Sequence, residues 1–259
     1  MESPWILEQF GLLIISLLAN LLSALAGGGA GLLQFPVLLF LGLSFATALA
    51  THKIASVALG VGATLRHLRE GSLEPRFALF MLGCGLPGVI LGANLILDLD
   101  ETLAVLALGC LTCGLGLYSI FKRELGMSAS RRNRDRSGML IGGAGLFIIG
   151  VLNGSLTSGT GLFVTMWLVR WFGLDYQRAV AYTLILVGLF WNGFGALAVA
   201  LQTPPRWEWL PVLLIGSMLG AYFGAHLGIA KGNRTIKRCF EVLTLLVGAK
   251  LIWDGLIGL

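Results

Sequence analysis

The sequence predicts an all-α polytopic membrane protein made of two inverted-topology repeats, each with a glycine-broken helix hairpin, and about 8–10 membrane segments in all. Three observations carry that prediction: the composition, the spacing of the apolar stretches, and a match between the two halves of the chain. The 259 residues are 56% hydrophobic and 12% charged, with a mean hydropathy of +0.87, whereas soluble domains carry about 25% charged residues. A soluble globular domain is excluded. The net charge of +5 is read as membrane topology and not as nucleic-acid binding, because its basic residues gather in short loops.

Apolar stretches recur at 5–26, 31–43, 47–65, 77–97, 102–121, 138–156, 160–173, 178–201, 209–229 and 240–258. A helix needs about 20 apolar residues to cross the hydrocarbon layer, and most of these suffice. The first has Glu2 before it and Glu8 near its start and no basic flank, so it is read as a membrane segment and not as a signal peptide, although Ala24-Leu25-Ala26 resembles a cleavage site. Segments 31–43 and 160–173 span only about 20 Å at the helical rise. Each follows a glycine-rich break, Gly27-Gly28-Gly29-Ala30-Gly31 in one case and Gly154-Ser155-Leu156-Thr157-Ser158-Gly159-Thr160-Gly161 in the other. Both read as broken-helix hairpins.

The breaks occupy corresponding places. Gly29-Ala30-Gly31-Leu32 answers Gly159-Thr160-Gly161-Leu162, Ala48-Leu49-Ala50 answers Ala179-Val180-Ala181, Gly88 to Ala93 answers Gly220 to Ala225, and Gly114 answers Gly248, with the offset drifting only from 130 to 134. That regularity indicates internal duplication. It divides the chain into a first membrane repeat at 1–121, a basic linker at 122–137 and a second repeat at 138–259. Stretches 66–76, 122–136 and 231–238 hold clustered Arg and Lys and are expected on the cytoplasmic side. The Asp98-Leu99-Asp100-Glu101 connection and the 202–208 loop then face the periplasm, as do both termini. Each half crosses an odd number of times, so the copies are inverted, the plan in which secondary transporters bind substrate where discontinuous helices meet. The linker reads as a flexible, solvated tether.

Glycines at 85, 88 and 92, and at 220, 224 and 228, form small-xxx-small faces for close helix packing. Cys84, Cys110, Cys113 and Cys239 lie in or beside apolar segments without metal-site partners, and read as packing residues. No metal or cofactor is expected. Walker, nucleophile-elbow, HExxH and paired-carboxylate motifs are lacking, so neither ATP-driven transport by this chain nor an enzymatic activity has a warrant.

Ionisable residues within spans mark pathways and sites, and His52 and Lys53 stand out in Ala48-Leu49-Ala50-Thr51-His52-Lys53. The alternative is snorkelling to the headgroups. All thirteen acidic residues fall in loops or near segment ends, which disfavours a cation site. Anions favour helix N-termini, where unpaired N–H groups and the positive dipole end converge, and both glycine breaks open into a helix. Candidate substrate-binding residues are therefore Gly28, Gly29, Gly31, Gln34, Thr51, His52 and Lys53 in the first copy. Their second-copy counterparts are Asn153, Ser155, Thr157, Ser158, Gly159, Thr160, Gly161, Tyr182 and Asn192. Interhelical hydrogen bonding is an alternative for Tyr182, Thr183 and Asn192. Lys250 and Asp254, spaced i, i+4, read as a structural ion pair, His226 as a packed or hydrogen-bonded residue, and His67 as one set among loop arginines.

The run from Ser23 through Gln34-Phe35-Pro36, followed by Ala48-Leu49-Ala50-Thr51-His52-Lys53, resembles the sulfite exporter TauE/SafE family, also called the toluene sulfonate uptake permeases. The resemblance covers nearly the whole chain and implies an inner-membrane transporter of sulfur-containing or organic anions. Ser23 stands where relatives often carry Asp or Asn, and Leu184 where some carry a second Lys; these departures argue against a coupling carboxylate and a symmetric two-lysine site. The expected function is gradient-driven or facilitated transport of sulfite, an organosulfonate or a small carboxylate. An anion channel and a non-transporting membrane subunit or sensor are the alternatives. The expected partners are the anion and the lipid bilayer, with no nucleic acid; homo-oligomerisation is left open.

Overall fold

A computed structural model describes residues 3–71, 73–95, 101–156 and 159–257. The described residues form helices and no strand: α1 (Ser3–Ala26), α2 (Gly31–Phe40), α3 (Phe45–His67), α4 (Pro75–Leu95), α5 (Glu101–Phe121), α6 (Arg136–Leu156), α7 (Thr160–Arg170), α8 (Tyr176–Tyr182), α9 (Asn192–Ala200), α10 (Leu210–Lys231) and α11 (Asn233–Ile257). Between α8 and α9 the rod continues as a wider π-helical stretch, Thr183–Trp191. Among the described residues six helices are long and apolar enough to span a membrane, beginning at Trp5, Phe45, Pro75, Arg136, Tyr176 and Leu210. The protein is an all-α, multi-pass membrane protein.

Glycines decide which helices meet. A Cβ at Gly220 or Gly224 of α10 would strike the Leu17 or Leu21 carbonyl of α1, and one at Gly88 or Gly92 of α4 would strike the Phe147 or Val151 carbonyl of α6. With no side chain in the way the backbones touch, which gives dispersion contacts that large residues would forbid. The fourth helix of the first half thus packs on the first helix of the second, and the reverse holds for α10 on α1. Gly60 of α3 likewise abuts Gly188 and Leu189 of the π-helical stretch, and Gly248 of α11 abuts Cys113 of α5.

The two short helices turn back on themselves at opposite ends of the bundle. Trp167 and Trp171 of the α7 end donate from Nε1 to the Gly142 and Gly138 carbonyls of α6 at 3.1 and 2.9 Å, so the α6–α7 hairpin opens beside the basic segment 122–135. The α1–α2 hairpin opens at the other end, where Leu12, Phe35 and Leu38 pack with Leu49, Val199, Trp209 and Leu213. There the Arg206 N–H donates to Thr51 Oγ1 at 2.9 Å. The hairpin tips meet in the middle, with Gly28 against Gly161.

The basic linker differs from a flexible tether. The Ser130 and Arg132 amides donate to the Gly173 and Phe172 carbonyls at 2.7 and 3.2 Å, and the Tyr176 amide donates to Gly126 O at 2.9 Å. Asn233 of α11 clamps it further, donating to Met127 O at 3.0 Å while accepting from the Gln177 amide at 2.8 Å. Arg134 lies over the Phe77 ring at 3.7 Å, and that burial pulls its guanidinium below its ordinary value while nearby Glu74 acts the other way. The segment is a strap because its backbone has acceptors at the α7–α8 corner; composition alone shows only its charge. The final helix carries the expected Lys250–Asp254 pair, and Arg66 Nε donates to His226 Nδ1 at 3.2 Å.

Candidate functional site

Where the hairpin tips meet, a half-open cavity of about 40 Å³ with a mixed polar and apolar lining lies between the first turns of α2 and α7, room for about three waters. One wall is Ser23, Gly28, Gly29, Ala30, Gly31, His52 and Ser56, and the other is Asn153, Gly159, Thr160, Gly161, Thr183 and Asn192, with Leu59, Leu184, Val187 and Gly188 completing the lining. Gly27, Gly28 and Gly29 all take positive φ, at 87°, 135° and 98°, and so turn the chain from α1 into α2 within three residues. L side chains resist such angles. Thr165 of α7 donates to the Gly27 carbonyl at 2.6 Å, tying the first tip to the second hairpin.

Hydroxyl groups line this space. Thr160 Oγ1 accepts from Asn153 Nδ2 at 2.8 Å and so keeps its own proton for another acceptor, while Thr183 Oγ1 lies 2.9 Å from Thr165 Oγ1, whose one proton is on the Gly27 carbonyl. Among the described residues Ser23 Oγ and Asn153 Oδ1 are buried without any hydrogen-bond partner. Buried polar atoms are rarely left so, and two of them lining one cavity mark a place for a hydrogen-bonding ligand. No Asp or Glu lines it among the described residues.

Nine of the expected residues come together here: Gly28, Gly29, Gly31, His52, Asn153, Gly159, Thr160, Gly161 and Asn192. Others support the wall from behind or point elsewhere. Gln34 Oε1 lies 2.8 Å from His52 Nδ1, one layer back. Thr51 serves the Arg206 amide. Ser155 donates to the Val151 carbonyl of its own helix at 2.9 Å, and Tyr182 turns away to accept from the Glu74 amide at 2.6 Å. Thr157 and Ser158 lie outside the described residues.

Lys53 is fully buried, which is at odds with snorkelling, yet it is also not on the cavity wall. Its Nζ donates to the Asn153 carbonyl at 2.9 Å, near the end of α6, where unpaired carbonyls make the negative pole of the helix. It therefore holds the broken end of α6 against α3. The sequence reading passed over Ser16 and Ser217, 201 residues apart and joined at 3.0 Å between hydroxyls; nothing in their local sequence distinguishes them from packing serines. Thr165 was missed for the same reason.

The family described as Sulfite exporter TauE/SafE matches residues 12–251. A probable membrane transporter protein of Haemophilus influenzae is 29% identical over 244 residues, covering 94% of each chain. The probable membrane transporter protein YfcA of Escherichia coli K12 is 28% identical over 258 residues, covering 98% of this chain and 93% of its own. The probable membrane transporter protein YunE of Bacillus subtilis is 21% identical over 272 residues, 95% of this chain and 97% of its own. No solved structure matches. With nearly its whole length matched, the chain belongs to the sulfite exporter TauE/SafE family.

Proposed function

We propose that the protein is a secondary transporter of a small anion in the bacterial inner membrane, with the cavity between the two glycine-broken hairpins as its binding site. One observation carries this reading: two hairpins entering from opposite ends present the first turns of α2 and α7 to one shared cavity. Helix N-termini attract anions, free hydroxyl donors complete the cradle, and no carboxylate is at hand to hold a cation. The reciprocal packing of α1 on α10 and of α6 on α4 supports inverted repeats at 1–121 and 138–259, which rock against each other to open the cavity to either side in turn. The clustered basic loops and the linker strap lie on the cytoplasmic side, and the termini on the periplasmic side. The cavity's small size favours sulfite or another compact oxyanion over a bulky organosulfonate.

The test is thermal stability of the purified protein in detergent against sulfite, sulfoacetate, sulfate, thiosulfate, oxalate, lactate and cation controls. A native-state ligand at a hundred times its Kd contributes about 2.7 kcal/mol. One anion class is expected to raise the midpoint in wild type and to do so less in Ser23→Ala. Equal response to anions and cations would overturn the site assignment.

A further inference from the structure

We propose that His52 takes up a proton on Nε2 whenever the cavity takes an anion, so that anion and proton cross the membrane together; this rests on the anion-carrier reading above. A chain of hydrogen bonds beginning at a main-chain carbonyl fixes the chemistry of that nitrogen. Leu213 O can only accept, so Ser16 Oγ, 2.8 Å away, donates its one proton there. Ser16 Oγ must then accept from Gln34, 3.0 Å away, through Gln34 Nε2. The amide is thereby oriented with Oε1 toward His52 Nδ1, and the 2.8 Å contact there requires the proton on Nδ1. The lone pair of a neutral His52 consequently sits on Nε2, the nitrogen that faces Gly31 at the start of α2. Ser56 Oγ lies 3.1 Å from Nε2 and 2.9 Å from the His52 carbonyl, and its one proton serves one of the two, leaving its lone pairs able to accept from a protonated Nε2.

A lone pair on a ring that lines the cavity repels an oxyanion; a proton on it makes a charge-assisted donor. His52 is the one titratable group among the described residues lining the cavity. The groups facing it from neighbouring elements are uncharged: Ser23 of α1, Gly31 and Gln34 of α2, Ser56 of α3, and Thr183 and Asn192 of the opposite wall. The ring of Phe35 lies 6.3 Å away. Lys53, next in the chain, directs its ammonium to the carbonyl end of α6, which balances it locally. Arg206, which reaches α3 only through its backbone amide, pairs with Glu208 in the 201–209 loop.

For a weak acid the transfer is direct. The O–H bond of the ligand breaks, its electron pair stays on oxygen, and an N–H bond forms on the Nε2 lone pair, leaving oxyanion beside imidazolium. On release to the other side the proton returns to the departing anion or to water. For an anion of a strong acid the proton comes from water on the side of entry.

The test uses the full chain in proteoliposomes with a trapped pH dye, and sulfite and methanesulfonate as probes; methanesulfonate carries no proton of its own at neutral pH. With one proton per anion, each pH unit of an acid-outside gradient should raise steady-state accumulation about tenfold, and uptake should acidify the lumen. In His52→Gln accumulation should no longer follow the gradient. Wild-type anion uptake without lumen acidification, or a His52→Gln protein that stays coupled, overturns the proposal and leaves the carrier reading standing. The wild-type proton signal decides even where the variant does not fold. Absence of flux for both probes overturns the carrier reading and this inference with it.

Discussion

Replacing Gly28 by Ala probes the tip-to-tip contact on which the site depends. The residue has φ +135°, and an added Cβ would stand 2.6 Å from the Gly161 carbonyl carbon, 2.7 Å from its Cα and 2.8 Å from the Leu162 nitrogen. All three are backbone atoms of the other hairpin and cannot swing aside as a side chain would. The unfavourable φ costs about 1–3 kcal/mol and forced overpacking about 1–3 kcal/mol, so the substitution should destabilise by roughly 2–6 kcal/mol. On the usual scaling of about 2–4 °C per kcal/mol for a chain of this size, the melting midpoint in detergent should fall by several degrees at least, and anion-dependent stabilisation should disappear. Gly42→Ala is the matched control, since φ is +90° there but nothing lies within 4 Å; only the backbone part of the cost remains. If Gly28→Ala melts like wild type, or no lower than Gly42→Ala, the two tips do not abut.

Three further outcomes are expected. Ser16→Ala removes the hydroxyl shared by Leu213 O, Ser217 and Gln34, and leaving such buried groups unpaired should lower stability by about 1–3 kcal/mol in a denaturation assay; no change would place those groups in contact with other partners. Lys237→Met breaks an ion pair to Glu241 whose side chains are 9% and 16% exposed, together with bonds to Ser119. The loss should approach the lower end of about 3–5 kcal/mol, whereas Lys250→Ala, at a pair 50% and 23% exposed, should cost under about 1 kcal/mol; equal midpoints for the two variants would contradict this ranking. Hydrogen exchange should find the Ser130, Arg132 and Tyr176 amides protected by their carbonyl partners, and rapid exchange at all three would return the strap to a loose tether.

Segment positions were legible because a membrane imposes a length on apolar helices: the stretch read at 5–26 is Ser3–Ala26, and that at 102–121 is Glu101–Phe121. The glycine breaks were legible for a related reason, since Gly27-Gly28-Gly29 inside an apolar run has few uses other than a sharp turn. What the sequence concealed depends on partners distant in the chain. The π-helical stretch Thr183–Trp191 is an unbroken apolar run whose local sequence marks no departure from an α-helix. Lys53 drew attention as a charge in a span, but which backbone end its four-carbon stem would reach depends on where α6 stops, 100 residues away. Ser16, Ser217 and Thr165 are ordinary hydroxyls until the fold joins them. The strap at 122–135 was misread as loose because charge dominates its composition while its contacts are made by backbone.

The most direct test is counterflow in proteoliposomes: vesicles loaded with unlabelled sulfite and diluted into a trace of labelled sulfite. Transient accumulation of label above equilibrium, saturable and reduced in Ser23→Ala, is the result expected of a carrier that binds its anion in the cavity between the hairpins. Label entry that never overshoots and rises in proportion to concentration would identify an open anion pathway, and no entry beyond that into empty vesicles would contradict transport of this anion altogether.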